Sequence, residues 1–205
     1  MVKDTVISHA IHFSNNTNGD STLRLVQTAE DKTPLWMTLS AQWLYKQISD
    51  LIEESDADSD VSIRKFQHKW DQFSIIVRFE GKDESLASQP AIVGAHQDSV
   101  NRRNPLWGRS PGADGDGSRT VTTLEVFRSF VGTGFRPTRR VEFHWYSAEE
   151  AGLLGSQDVA ENYEKKDIEV IVMIQVSRSI QALAILVQVV LVYAIGVFNF
   201  ANFYS

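Results

Sequence analysis

Apolar and polar positions along this chain follow two different periods, and the change of period marks its elements. From Ser40 onward Leu44, Ile48, Leu51 and Ile52 fall on one helical face, which predicts a helix capped by Ser40. The acidic run Glu53 to Asp60 then closes it as a solvated loop. Strand-like runs follow near 61–66, 73–80, 91–95, 139–146 and 168–175, with helical patterns between them around 118–131 and 156–165. The run 168–174 is almost wholly apolar, the pattern of a strand buried on both faces. Strands alternating with helices predict an α/β fold, in which functional residues gather at the carboxyl ends of strands.

Two end segments depart from this pattern. Residues 1–39 read as a polar, turn-rich lead segment, and Met1 to Asn15 contain no apolar stretch of the kind a signal peptide needs. The domain proper is expected over 40–175. Residues 176–205 differ in kind, because no charged residue occurs from Ser179 to Ser205. The run 180–203 is long enough to cross a bilayer, with Gln181, Gln188, Asn199 and Asn202 as its strongly polar side chains. A membrane anchor, a core segment and sequence foreign to the domain are the three readings, and the third is favoured.

Composition narrows the function classes. A chain of 205 residues with 42% hydrophobic content can bury a full core. A net charge of −6 without any basic cluster excludes a nucleic-acid partner. The absence of cysteine excludes disulfides, thiolate metal sites and cysteine nucleophiles.

The chemistry concentrates at two strand ends. His96 and Asp98 follow the apolar run Ala-Ile-Val-Gly-Ala, and Glu149-Glu150 follow Val-Glu-Phe-His-Trp-Tyr-Ser-Ala. A ligating histidine usually relies on a nearby carboxylate to fix its tautomer and orientation. Adjacent carboxylates buried where a strand ends need a cation or a proton to compensate them. His144 lies inside its strand and reads as a core residue. Between the two pairs, Pro-Gly-Ala-Asp-Gly-Asp-Gly-Ser (111–118) forms a glycine-rich loop with Ser118 as the cap of the next helix. Asp114, Asp116, Ser118 and Glu125 also fall at positions 1, 3, 5 and 12 of a calcium-binding loop, a partial match with Arg119 where glycine belongs.

Three linked stretches, Val-Gly-Ala-His-Gln-Asp-Ser, Pro-Gly-Ala-Asp-Gly-Asp-Gly-Ser and Glu-Phe-His-Trp-Tyr-Ser-Ala-Glu-Glu-Ala-Gly-Leu-Leu-Gly-Ser-Gln, together resemble the zinc aminopeptidases that include the secreted fungal leucine aminopeptidases. The resemblance runs from about Trp43 to Gln175. It implies a three-layer α/β/α sandwich with a mixed central sheet, here truncated, and a site that holds two zinc ions. It further implies an extracellular setting and removal of an N-terminal, leucine-like residue from a peptide substrate. Carried over, His96 binds zinc, Asp98 orients it, Glu149 is the general base and Glu150 a zinc ligand.

Departures from the family pattern argue against full activity. The family's loop resembles Gly-Ala-Asp-Asp-Asp-Gly-Ser-Gly, whose middle aspartate bridges the metals. That position is Gly115 here, leaving Asp114 and Asp116 as neighbouring substitutes, and the closing glycine is Arg119. Two divalent cations about 4 Å apart repel strongly without a shared carboxylate. The next aspartate is replaced by Ser177, and no histidine lies beyond His144. The expectation is a weak or inactive copy, with a non-catalytic metal- or peptide-binding relic or a calcium module as alternatives. The resemblance stops between Gln175 and Val176, and every valine codon begins with the GT of a splice donor, so 176–205 is expected to be a translated intron or an aberrant gene-model end.

Overall fold

The computed structural model describes residues 39–55, 60–100, 103 and 117–175. The expectations for most of the lead segment, for Asp114, Gly115 and Asp116, and for Ser177 and the apolar tail lie outside these residues.

Helix α1, Leu39–Glu53, forms where the helical period begins and buries Ala41, Leu44, Ile48 and Ile52 on one face. Ser40 lies inside it and is itself buried. Strands β1 (Val61–Phe66), β2 (Ser74–Phe79), β3 (Ala91–His96), β4 (Val141–Tyr146) and β5 (Val172–Gln175) make one sheet in the order β1-β2-β4-β3-β5. The β1/β2 and β2/β4 pairs are antiparallel, and β4/β3 and β3/β5 are parallel, so the sheet is mixed.

Period-2 alternation sorts the strand side chains between two layers. On one face Ile75, Val77, Val93, Val141, Phe143 and Trp145 pack against α1 and against α2, Ser118–Gly132. Phe79, Phe127, Phe130 and Phe143 meet there edge to face, with ring centroids 5.4–5.8 Å apart. On the other face Ile76, Ile92 and Tyr146 pack against Val159 and Tyr163 of α3, Leu154–Glu164. The result is the expected three-layer α/β/α sandwich.

Two local expectations need correction. The apolar run 168–174 was expected to be a strand buried on both faces, but only Val172–Gln175 are strand, at the edge of the sheet. Met173 there is 47% exposed, and Val170 and Ile171 are exposed before it. Among the described residues β5 pairs with β3 alone, so no neighbour covers its outer side. Ser118 was expected to cap α2, but it is the first helical residue. The N-cap is Gly117, which has no side chain with which to cap that end.

Gly155, in the first turn of α3, shows why the Leu-Leu-Gly-Ser stretch carries a glycine. A Cβ at that position would overlap the backbone oxygen of Ser147, so α3 rests directly on the chain leaving β4. Gly155→Ala must therefore push α3 off the sheet. The expected loss is about 3 kcal/mol by denaturant unfolding, at the upper end for overpacking, and an unchanged midpoint would contradict this contact.

Candidate functional site

The site grows from a register. His96 is the last residue of β3 and pairs with Tyr146, the last residue of parallel β4, so the segments after them leave the sheet side by side. The Gln97 amide donates to the Tyr146 carbonyl at 2.9 Å, and the Gln97 side chain donates to the Phe73 carbonyl at 2.7 Å. Beyond β4, Ser147 is fixed from three directions. Its hydroxyl accepts from Trp70 Nε1 at 2.9 Å and donates to Gln72 Oε1 at 2.9 Å, while its amide donates to Ser74 Oγ at 3.0 Å.

Ala148 then turns the chain with φ of +55°, a left-handed conformation that costs a non-glycine residue about 1–2 kcal/mol. The turn aims two consecutive amides at one carboxylate. Glu149 N donates to Asp98 Oδ1 at 3.0 Å, and Glu150 N donates to Asp98 Oδ2 at 3.1 Å. The Glu149 carbonyl accepts in turn from the Gly152 and Leu153 amides. The turn carrying both glutamates is thus clamped at its start by Asp98 and closed on itself.

His96 is 4% exposed. Its Nδ1 lies 2.9 Å from the main-chain oxygen of Asp98. A carbonyl can only accept, so Nδ1 carries the proton and Nε2 presents its lone pair. The Asp98 carboxylate is 3.6 Å from the ring, and Glu149 Oε2 is 3.9 Å from it. Asp98 therefore holds the imidazole through its backbone, while its carboxylate organises the glutamate turn. The structure brings His96, Asp98, Glu149 and Glu150 together. Asp114 and Asp116 lie outside the described residues.

Arg119 was visible in the sequence only as a departure from the family loop, and its contact was not foreseen. It sits in the first turn of α2 with Nη1 3.2 Å from His96 Nε2. Thr120 beside it donates from Oγ1 to the His96 carbonyl at 2.7 Å, which fixes the register of α2 on β3. A guanidinium has donors only, so it occupies the nitrogen lone pair a metal needs. Among the described residues no cluster of three histidine or carboxylate side chains is arranged to hold an ion. The zinc pair implied by the resemblance does not fit the described site as it stands.

The calcium alternative also fails on geometry. Ser118 and Glu125 both lie in α2, seven residues and about 10 Å apart along the axis. The carboxylate expected to close such a loop is therefore two helical turns away from it.

A second constellation had no signal in the sequence, because its partners are far apart in the chain. His68 Nδ1 is 2.8 Å from Asp158 Oδ2 and Nε2 is 2.7 Å from Ser74 Oγ. These are the residue types of a nucleophilic triad, but Ser74 is fully buried, and its oxygen already accepts the Ser147 amide. A groove of about 440 Å³ is lined by His68 and Asp158 and not by Ser74. The set ties β2 to α3 and supports the floor of the site. Burial holds the His68 pKa below its ordinary value against the pull of Asp158.

The described residues thus form a mixed α/β/α sandwich with a histidine and carboxylates at the carboxyl ends of adjacent parallel strands. The comparison with known families makes this specific: peptidase family M28 matches residues 74–182, and the chain belongs to that family. Leucine aminopeptidase 1 of Emericella nidulans is 46% identical over 142 residues, covering 66% of this chain and 35% of that protein. Leucine aminopeptidase 1 of Neurospora crassa is 44% identical over 153 residues, covering 70% and 37%. The LapA aminopeptidase of Legionella pneumophila superimposes with a TM-score of 0.67 at 26% identity, covering 83% of this chain and 40% of that one. The chain thus spans little more than a third of the length of the curated relatives it matches.

Proposed function

We propose that this chain carries part of an extracellular metallo-aminopeptidase domain. Its ancestral reaction is hydrolysis of an N-terminal, leucine-like residue from a peptide, and the chain as it stands is weak or silent in that reaction. The observation that carries the proposal is the clamp of Asp98 on the amides of Glu149 and Glu150 beside His96. It sets a carboxylate fit for general-base work next to an imidazole at a strand end. Two departures support silence: the loop position of Gly115 offers no shared carboxylate, and Arg119 stands 3.2 Å from Nε2 of His96.

A leucyl chromogenic substrate tests this directly. With zinc supplied, the rate of the purified chain is expected not to exceed that of Glu149→Gln. Turnover that falls by a factor of about 100 or more in Glu149→Gln, the ordinary contribution of a general base, would show the site to be working. Gly115→Asp alone is expected to restore nothing, since Arg119 and Ser177 remain.

A further inference from the structure

The position of Arg119 is not explained by the helix that carries it. It stands in the first turn of α2, where the helix dipole disfavours a cation. Its Nε is buried without a hydrogen-bond partner among the described residues, which is also unfavourable. What favours the placement is the other side of the contact. The guanidinium faces the lone-pair nitrogen of His96, whose other ring nitrogen lies 3.6 Å from the Asp98 carboxylate and 3.9 Å from that of Glu149. Thr120 holds the register from the next position, so the contact is built into the seating of α2 on β3.

We propose that Arg119 is the resident cation of this site: its guanidinium takes the position at His96 Nε2 that a zinc ion bound to this histidine would need, so a side chain fills the place of the metal. This rests on the descent from a metallo-aminopeptidase proposed above. It adds that the copy is a metal-independent form of the site, in which zinc and Arg119 compete for one nitrogen. One positive charge on a planar group replaces a divalent ion. The fold then keeps the arrangement of the site without the electrophile that the reaction needs.

Thermal unfolding with and without zinc, together with bound-metal analysis, tests the exchange. The wild-type chain is expected to show the same Tm in chelator and in zinc, and to retain no stoichiometric metal after dialysis. Arg119→Met keeps the stem and the helix propensity but removes the charge. It is expected to unfold about 5 °C lower in chelator and to regain that shift as zinc is added, since a ligand that binds only the folded state raises its stability. Arg119→Gly should respond in the same direction. His96→Ala in the Arg119→Met background should abolish the zinc response, separating this nitrogen from the other histidines. Stoichiometric zinc on the wild type would overturn the proposal even if the variants fail to fold. Variants that neither lose stability in chelator nor gain a zinc response would overturn it equally. Leucyl hydrolysis read on the same samples keeps the two proposals apart. Turnover by a metal-free wild type contradicts the silent reaction and leaves Arg119 in place, whereas wild-type zinc binding without turnover contradicts Arg119 alone.

Discussion

Glu142→Ala is expected to destabilise the chain by about 3–5 kcal/mol, the range for removing one partner of a buried ion pair. Glu142 is fully buried on the α3 side of β4, yet its carboxylate has a complete set of donors. Arg78 Nε on β2 donates to Oε1 at 2.8 Å, and His144 Nε2 lies 3.0 Å from Oε2, which also accepts from the Tyr163 hydroxyl of α3. Tyr146 donates to His144 Nδ1 at 2.8 Å, and Arg64 of β1 reaches Tyr163 at 3.4 Å. Removing the carboxylate leaves the Tyr163 hydroxyl and the His144 N–H without their acceptor in a dry layer, and leaves Arg78 with Glu80 at 3.9 Å as its remaining ion-pair partner. Glu142→Gln, which keeps the shape, isolates the part due to charge.

The same network predicts how stability depends on pH. Burial alone would raise the Glu142 pKa, but the hydrogen bonds from His144 and Tyr163 and the charge of Arg78 outweigh it and hold the group down to about 2, against an ordinary 4.5. The unfolded chain therefore takes up this proton first. Stability is intact above pH 4.5 and falls by about 3 kcal/mol as pH drops from 4.5 toward 2. His144 and His68 shift down as well, chiefly by burial, so each stays neutral in the fold while the unfolded chain binds protons below about 6.5. Their contribution is present above 6.5 and declines below it. Denaturant titrations should show two acid limbs, and Glu142→Gln should flatten the lower one. A single limb in the wild type would contradict these protonation states.

How much of this was legible in the sequence depended on distance along the chain. The helical period from Leu44 to Ile52 and the apolar runs that became β2, β3 and β4 were readable, because local spacing decides which faces can be buried. The placement of His96 and the paired glutamates at strand ends was readable for the same reason. The chain could not show what each strand faces. The run 168–174 is apolar enough for a central strand, but whether a strand is central depends on a neighbour, and β5 has one on one side only among the described residues. Val-Glu-Phe-His-Trp-Tyr alternates, yet its polar half is as dry as its apolar half, because α3 brings Tyr163 over it. Arg119 was noticed as a missing glycine. That its guanidinium lies on the very nitrogen a metal requires depends on how α2 sits against β3, a fact of packing.

Asp98→Ala is the second large effect expected, and it separates the two things Asp98 does. The carboxylate is the acceptor for both the Glu149 and the Glu150 amide, so its removal strands two donors at a turn already strained at Ala148. At about 1–3 kcal/mol for each of the two stranded donors, the loss is expected to be about 2–6 kcal/mol. Asp98→Asn retains one acceptor oxygen but turns an NH₂ toward the other amide, donor against donor, so it should recover only part of the loss. Hydrogen exchange should show the amides of Glu149 and Glu150 losing protection in both variants, ahead of any change in β4. The imidazole should respond differently. His96 Nδ1 is held by the main-chain oxygen of residue 98, which neither substitution removes. Its proton is therefore expected to stay on Nδ1, with Nε2 still facing Arg119, as read from the imidazole nitrogen shifts by NMR. Loss of that tautomer in Asp98→Ala would mean that the carboxylate orients the ring across 3.6 Å after all. Retention of the tautomer with loss of the glutamate turn would show two independent parts in the site: a backbone-held histidine, and a carboxylate clamp that places Glu149 beside it.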